Sequence, residues 1–403
     1  MTTGILSGLS IVEGSAFVAV PLTGMTLAQL GADVIRFDPI GGGLDARRWP
    51  LDADGNSLFW QGLNKGKRSL AVDLRSPEGR EIVTRLIARP GPEAGIFLTN
   101  LPSRGWLSYE ALRQRRDDLI MVSLTGNRDG SSAIDYTVNP ATGFPAVTGP
   151  PGTGPVNSVL PAWDVAAGLH AAVGLLAADR RRARTGAGSL VRLALSDVAF
   201  AITAALGRVA QGELGLDDGG KASNDLYGAF GRDFATRDGR RVMVVALTPK
   251  QWIALKAATG IEAEIAALAA VTGLDLDAEG NRYAARDAIA ERLAPWFAAR
   301  TLREIEAALA GTGVSWGPYR SFAELATGDP RVTDEAGLFA TVRHPGGAAY
   351  RTPASPLGFT DAGGLPPLPA PALGEHTDEI LGELGMTAHE IGRLHDRGIV
   401  AGG

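Results

Sequence analysis

Short β-branched runs alternate with stretches of helical period from Leu9 to Gly126, and few folds accept that grammar. "LSIVEGS" reads as a strand, "AVPLTGMTLAQLGA" as a helix, and "DVIRFDP" as a second strand stopped by Pro39. "RSLAVDL" is another strand. The helix after it, "SPEGREIVTRLIA", has Ser76 as N-cap and Pro77 at its first position. "AGIFLTN" and "LIMVSLTG" are further short strands that end in polar or glycine turns. Strands spaced by helices predict an α/β fold, a mostly parallel sheet with helices on both faces. Ligands of such sheets bind beyond the carboxyl ends of the strands, which marks Asn100, Gly126 and the loops after them.

The rest of the chain changes character. Residues 126–160 are rich in Gly, Pro, Ser and Thr, the composition of a functional loop rather than a packed element. Further on, "GRRVMVVALT" predicts a strand entering a smaller domain, with amphipathic helices such as "TPKQWIALKAATG" and "TLREIEAALAGTG" after it. The tail holds strand-like pieces and two short helices with Thr377 and Thr387 as caps. The expected division is a large domain over 1–200, a linker over 201–225, a small domain over 226–325, and a segment over 326–403 returning to the large domain.

Composition removes several classes of function. With no cysteine in 403 residues, disulfides, thiolate catalysis and Cys-ligated metals are excluded. The five histidines never fall in a metal-ligand spacing, so no metal is expected. A net charge of −5 gives no footprint for nucleic acid or anionic membrane. "DRRRAR" (Asp179–Arg184) reads as a solvated helix end. The amino-terminal stretch lacks a basic region ahead of its apolar residues, and a cytoplasmic protein is expected.

Three stretches carry chemistry. "DPIGGGLD" (Asp38–Asp45) is glycine-rich without the spacing of a phosphate-binding loop, and reads as a mobile loop. Lys65, Lys67 and Arg68 in "LNKGKRS" are either solvated or, beside that loop, placed to receive a polyphosphate. "LPAWDVAAGLHAAVGLLAA" (Leu160–Ala178) has the length of a membrane span. Asp164 and His170 are costly in hydrocarbon, and a buried helix is favoured. Asp164 has two readings. It stands where a helix cap stands, and it is a carboxylate among apolar neighbours at a helix start, the setting of a nucleophile.

The stretches "LSGLSIVEGSAFVAVPLTGMTLAQLGADVIRFDP", "SLFWQGLNKGKRSLAVDLRSPEGREI", "PAWDVAAGLHAAVGLLAA", "RTGAGSLVRLALSD" and "LGEHTDEIL" resemble the class III CoA-transferases. The resemblance covers nearly the whole chain. It implies a Rossmann-like large domain with a smaller inserted α+β domain, and a homodimer of interlocked chains. It also implies an acyl-CoA substrate. "NKGKRS", "TNLPSRGWLSYEAL", "DYTVNPATGFP" and "YGAFGRDF" resemble most the branch acting on mesaconyl-CoA.

By the same resemblance, Asp164 is the catalytic aspartate that attacks the thioester. Val18, Ala19, Arg75, Asn100, Leu101 and Arg104 contact CoA, and Val18 stands where the formyl-CoA branch has Gln. Trp49, Phe59 and Tyr136 lie near the acyl end, and Arg47, Arg48 and Arg104 are candidates to hold a free carboxylate. No cofactor is implied, CoA being part of the substrate. The family's racemases use a histidine base ahead of the aspartate, and this chain has none before His170.

Overall fold

All five residues of Ser10–Gly14 (β1) are buried, which only the middle of a sheet covered on both faces allows. The computed structural model describes residues 4–335, 337–361 and 363–402. It divides into two units: one takes residues up to 142, 158–208 and from 327 onward, the other 143–157 and 209–326.

The first unit runs β1, Ala19–Ala28 (α1), Asp33–Asp38 (β2), Leu58–Leu63 (α2), Arg68–Val72 (β3), Pro77–Ile87 (α3), Ile96–Thr99 (β4), Tyr109–Arg113 (α4) and Ile120–Thr125 (β5). Asp135–Val138 (α5) follows. Phe144–Val147 (α6) belongs to the second unit, and the chain then returns through Ala162–Thr185 (α7), Ser189–Ala194 (β6) and Leu195–Ala205 (α8). The strands pair in parallel in the order β3-β2-β1-β4-β5-β6, with Val12 opposite both Ile35 and Phe97. The α/β fold with a parallel central sheet is the one expected. Ser76 accepts from the Gly79 amide at 2.8 Å and caps α3, as its sequence predicts.

Val12, Ile35, Phe97 and Met121 share one face, packed with Ile82, Val83 and Leu86 of α3, Leu112 of α4, and Ile380, Leu381, Ile391 and Leu394 of the tail. The alternate residues Ile11, Val34, Ile96 and Val122 point to the other face, where α1 and α7 lie side by side.

The second unit is built on Phe230–Ala235 (β7), Arg241–Ala246 (β8) and Ser315–Pro318 (β9), an antiparallel sheet in chain order. Five helices between Pro249 and Leu309 cover it, and Phe234 stacks on Phe297 at 4.5 Å. Back in the first unit, Phe339–Arg343 (β10) and Ala349–Pro353 (β11) form a hairpin, and Val400–Ala401 (β12) adds an antiparallel edge beside β3. Thr387 caps its helix, as expected. Thr377 does not: it lies one position inside, its hydroxyl accepting from the Ala71 amide and donating to the Ala401 carbonyl. Sequence grammar locates a cap to within a residue, and the sheet edge decided which partner the hydroxyl takes.

Four expectations are corrected by the structure. The glycine-rich stretch is not wholly mobile, because Asp45 at its end is 1% exposed. Lys65 and Lys67 are neither solvated nor open to a polyphosphate: both are buried. Arg68 pairs with Asp33 and Glu383 instead. Within "DRRRAR", Arg182 is buried and donates to the Ala94 carbonyl at 2.7 Å. Residues 126–160 hold α5 and α6 and the 3-10 turn Asn139–Thr142, so that stretch is more structured than its composition suggests. Among the described residues no helix is long and apolar enough to cross a membrane.

A buried ionic cluster joins the first three strands. Lys67 Nζ donates to Glu13 Oε1 at 2.8 Å, to the Pro21 carbonyl at 2.9 Å and to Asn64 Oδ1 at 2.9 Å. Arg36 forks onto Asp38 at 2.8 and 2.9 Å and reaches Asp45 at 3.0 Å. Gly24 is required beside it, since a Cβ there would collide with the Glu13 carboxylate. Truncating one partner of such a cluster strands the other charge in the interior, at a cost of about 3–5 kcal/mol. Lys67→Ala should therefore lower the chemical-denaturation midpoint severely, while Arg115→Ala, at the exposed pair with Glu81, should leave it nearly unmoved.

Candidate active site

Strand order reverses between β1 and β4, whose following connections leave toward opposite sides, and the crevice beyond their carboxyl ends is the ligand position of a doubly wound sheet. There the Asn100 side chain holds the β1–α1 loop by a pair of hydrogen bonds. Its Oδ1 accepts from the Ala16 amide at 3.0 Å, and its Nδ2 donates to the Ala16 carbonyl at 2.8 Å. The next residue, Phe17, is at φ 67°, a left-handed conformation costing about 1–2 kcal/mol for a non-glycine residue. Val18 then stands at the start of α1, half-buried, and Ala19 is buried. Four of the expected CoA contacts, Val18, Ala19, Asn100 and Leu101, are thus gathered at one point.

The helix that carries Asp164, α7, crosses at the same place. Gly168 lies one turn after Asp164, on the same helix face, and permits the close approach: a Cβ there would sit 2.6 Å from the Ala19 carbonyl oxygen. Thr23 of α1 locks the crossing by donating to the Gly168 carbonyl at 2.8 Å. From Gly168, Asp164 is about 6 Å nearer the helix start, toward the amino end of α1.

Asp164 does not cap its helix. Pro161 occupies the N-cap position and offers no side-chain acceptor. The buried carboxylate of Asp135 does the work from α5, its Oδ2 accepting from the Trp163 amide at 2.8 Å and the Asp164 amide at 3.1 Å. Beside it, Asn139 Oδ1 accepts from the Trp163 indole at 2.8 Å. The Asp164 carboxyl is half-buried, and its pKa is pushed up to about 6, first by desolvation and then by the charge of Asp135. Among the described residues no hydrogen bond to that carboxylate offsets the shift. A carboxylate that is partly desolvated, ionised above pH 6 and not tied down by donors has the properties a nucleophile needs.

The other expected residues scatter around this centre. Phe59 is half-buried on α2, and Arg48 lies against its ring at 5.2 Å and against Phe17 at 5.5 Å. Arg47 and Trp49 flank Arg48 on the loop and are exposed. Tyr136 neighbours Asp135 on α5 and donates to the Val159 carbonyl at 3.2 Å. Arg104, exposed, opens a 3-10 turn after β4. Arg75, exposed and paired with Asp73, follows β3, two strand spacings or roughly 10 Å from β1.

Asp135, Asn139, Phe17, Thr23 and Gly168 were not marked in the sequence. The single available signal was local: Pro161 cannot cap a helix through its side chain, so another residue had to.

Because the folded state binds the Asp164 proton more tightly than the unfolded chain, this group's stability cost is absent below about pH 4, grows as pH rises toward about 6, and is constant above that. Asp164→Asn should raise stability at neutral pH by on the order of 1 kcal/mol. The gain should vanish toward pH 4, as thermal unfolding across that range will measure.

The chain is similar to known proteins over nearly its whole length. The family model for CoA-transferase family III matches residues 6–377. A 2-methylfumaryl-CoA isomerase of Chloroflexus aurantiacus is 57% identical over 99% of this chain and 98% of its own length. A succinyl-CoA:mesaconate CoA-transferase of Haloarcula marismortui is 30% identical over 95% of this chain and 97% of its own. Among solved structures, a CAIB/BAIF family protein from Brucella suis superposes with a TM-score of 0.76 at 28% identity, covering 95% of this chain and all of that one. A family match over residues 6–377, with relatives aligned across nearly the whole length, places this chain in CoA-transferase family III.

Proposed function

We propose that this enzyme moves CoA within mesaconyl-CoA (2-methylfumaryl-CoA), from the C1 to the C4 carboxyl, with Asp164 as nucleophile. The observation that carries the reading is the half-buried, donor-free carboxylate of Asp164, one helical turn before the Gly168 that abuts Ala19, in a chain so similar to the Chloroflexus aurantiacus isomerase.

Mesaconate has its carboxyl groups trans, so the free carboxylate cannot reach its own thioester and an enzyme group must relay the CoA. The Asp164 carboxylate attacks the C1 carbonyl, the C–S bond breaks, and CoA thiolate leaves an aspartyl–mesaconyl anhydride. The thiolate then attacks the aspartyl carbonyl, giving an aspartyl-CoA thioester and mesaconate dianion. Its C4 carboxylate attacks that thioester and expels the thiolate, which finally takes the C4 acyl group and frees Asp164. No proton or electron is gained or lost, and no cofactor is needed.

Val18, Ala19, Asn100 and Leu101 would hold the CoA end at the crevice, and the exposed Arg75 and Arg104 its phosphates. Trp49, Phe59 and Tyr136 would flank the acyl chain. Arg47 and Arg48 would anchor the free carboxylate. Arg48 suits this best, because its guanidinium lies over the rings of Phe17 and Phe59 and, among the described residues, makes no ion pair. The exposed side chains Leu169, Val173, Phe200 and Leu206 on and just after α7 and α8 support a homodimer.

Asp164→Ala should lower turnover at least about 10³-fold while leaving the Kd for mesaconyl-CoA within a few-fold, measured by stopped assay and calorimetry. The wild-type kcat/KM should fall on acidification through about pH 6. Incubated with labelled free mesaconate, the enzyme should isomerise the CoA ester without incorporating label; incorporation would instead establish transfer between separate acids.

A further inference from the structure

We propose that Asp135 is a positioning residue for the reaction: from α5 its carboxylate holds the backbone of Trp163 and Asp164 and sets how the Asp164 side chain is presented. The inference rests on Asp164 being the nucleophile.

Three observations meet here. Asp135 is 2% exposed, so its carboxylate is committed to an interior role. Its Oδ2 accepts two hydrogen bonds from the first turn of α7, from the amides of Trp163 and of Asp164 itself. The residue that should cap α7 locally is a proline. A helix start is therefore completed from another element, 29 residues upstream of the nucleophile. Asn139, one turn further along, receives the Trp163 indole at 2.8 Å and fixes the ring that precedes Asp164.

This arrangement has a chemical consequence. An aspartate in the first turn of a helix ordinarily lowers its energy against the free amides there. Here a second carboxylate already occupies two of them, so the Asp164 side chain loses that stabilisation. The two acids are close enough for the charge of Asp135 to oppose ionisation of Asp164. Few other charges do so. Of the elements packed most extensively on α7, α1 and β5 carry no ionisable side chain, and α8 carries Asp197, which is paired with Arg128. β6 carries Arg192, and α5 carries Tyr136 besides Asp135. On α7 itself the nearest ionisable group is His170, whose Nδ1 is engaged with the Ala166 carbonyl.

Two substitutions separate holding from charge. Asp135→Asn keeps an oxygen acceptor for the two amides and removes the negative charge; Asp135→Ala removes both. The full-length enzyme would be assayed with mesaconyl-CoA across pH 4.5–9. In parallel, the Asp164 carboxyl would be titrated by ¹³C NMR, its resonance assigned by difference against Asp164→Asn. For Asp135→Asn the expected result is an unchanged unfolding midpoint, kcat/KM at pH 8 within about tenfold of wild type, and an acid limb moved to lower pH together with the Asp164 titration. For Asp135→Ala, kcat should fall well beyond the Asn variant, with KM changed much less. An acid limb and an Asp164 titration that stay in place in Asp135→Asn overturn the proposal, as does an Asp135→Ala enzyme with wild-type kcat. Should Asp135→Ala fail to fold, the Asn variant decides alone. The NMR titration reads the coupling directly, so activity persisting in Asp164→Ala would overturn the nucleophile assignment without being mistaken for failure of the coupling.

Discussion

The salt bridge between Lys67 and Glu13, 2.8 Å long and wholly inside the protein, fixes the ground on which the site is built. Lys67 also binds the Pro21 carbonyl and Asn64, so one ammonium ties β1, the first turn of α1 and the end of α2 together. Arg36 extends the hold to Asp38, Asp45 and the Ser15 carbonyl. Burial pulls the Lys67 pKa down to about 8, which still leaves it charged at neutral pH. Buried ion pairs are weak evidence of net stability, since desolvation offsets most of their attraction. What they impose is geometry: each charge must find its partner, and the chain between them has little freedom.

That geometry is passed on to the crevice. Glu13 and Ser15 are fixed by the cluster, and Asn100 grips Ala16 from the neighbouring strand. Between these anchors Phe17 is held in a conformation it would not choose alone. Val18 and Ala19 follow, and the Ala19 carbonyl meets the bare Cα face of Gly168. The position of Asp164 therefore follows from a chain of contacts that begins at a lysine two strands away. The acid itself is left partly dry and without donors, the condition that keeps a carboxylate reactive.

Much of this was legible in the sequence because it depends on local periodicity. Alternating strands and helices fixed the parallel sheet, and Ser76 with Pro77 announced the start of α3. Asp164 stood out as a lone acid in an apolar run. Composition misled where burial decides: Lys65, Lys67 and Arg68 read as a solvated or phosphate-seeking turn, since nothing local says that a glutamate 54 residues earlier will neutralise one of them. The cap of α7 was misread for the same reason. Asp164 had the grammar of an N-cap, while the true acceptor, Asp135, lies in a stretch whose glycine and proline content suggested an unstructured loop.

By itself, then, the sequence determined the fold class and the family resemblance and singled out Asp164 as a lone acid in an apolar run, because each rests on residue types and spacings along the chain. Tertiary structure alone decided what that acid does in its helix, which of the cations are buried, and which residues hold the crevice. Those are questions of which groups are brought within hydrogen-bonding distance across long separations. Partners such as Asp135 and the Asp164 amide, or Lys67 and Glu13, become defined only when the sheet has assembled and water has been excluded between them.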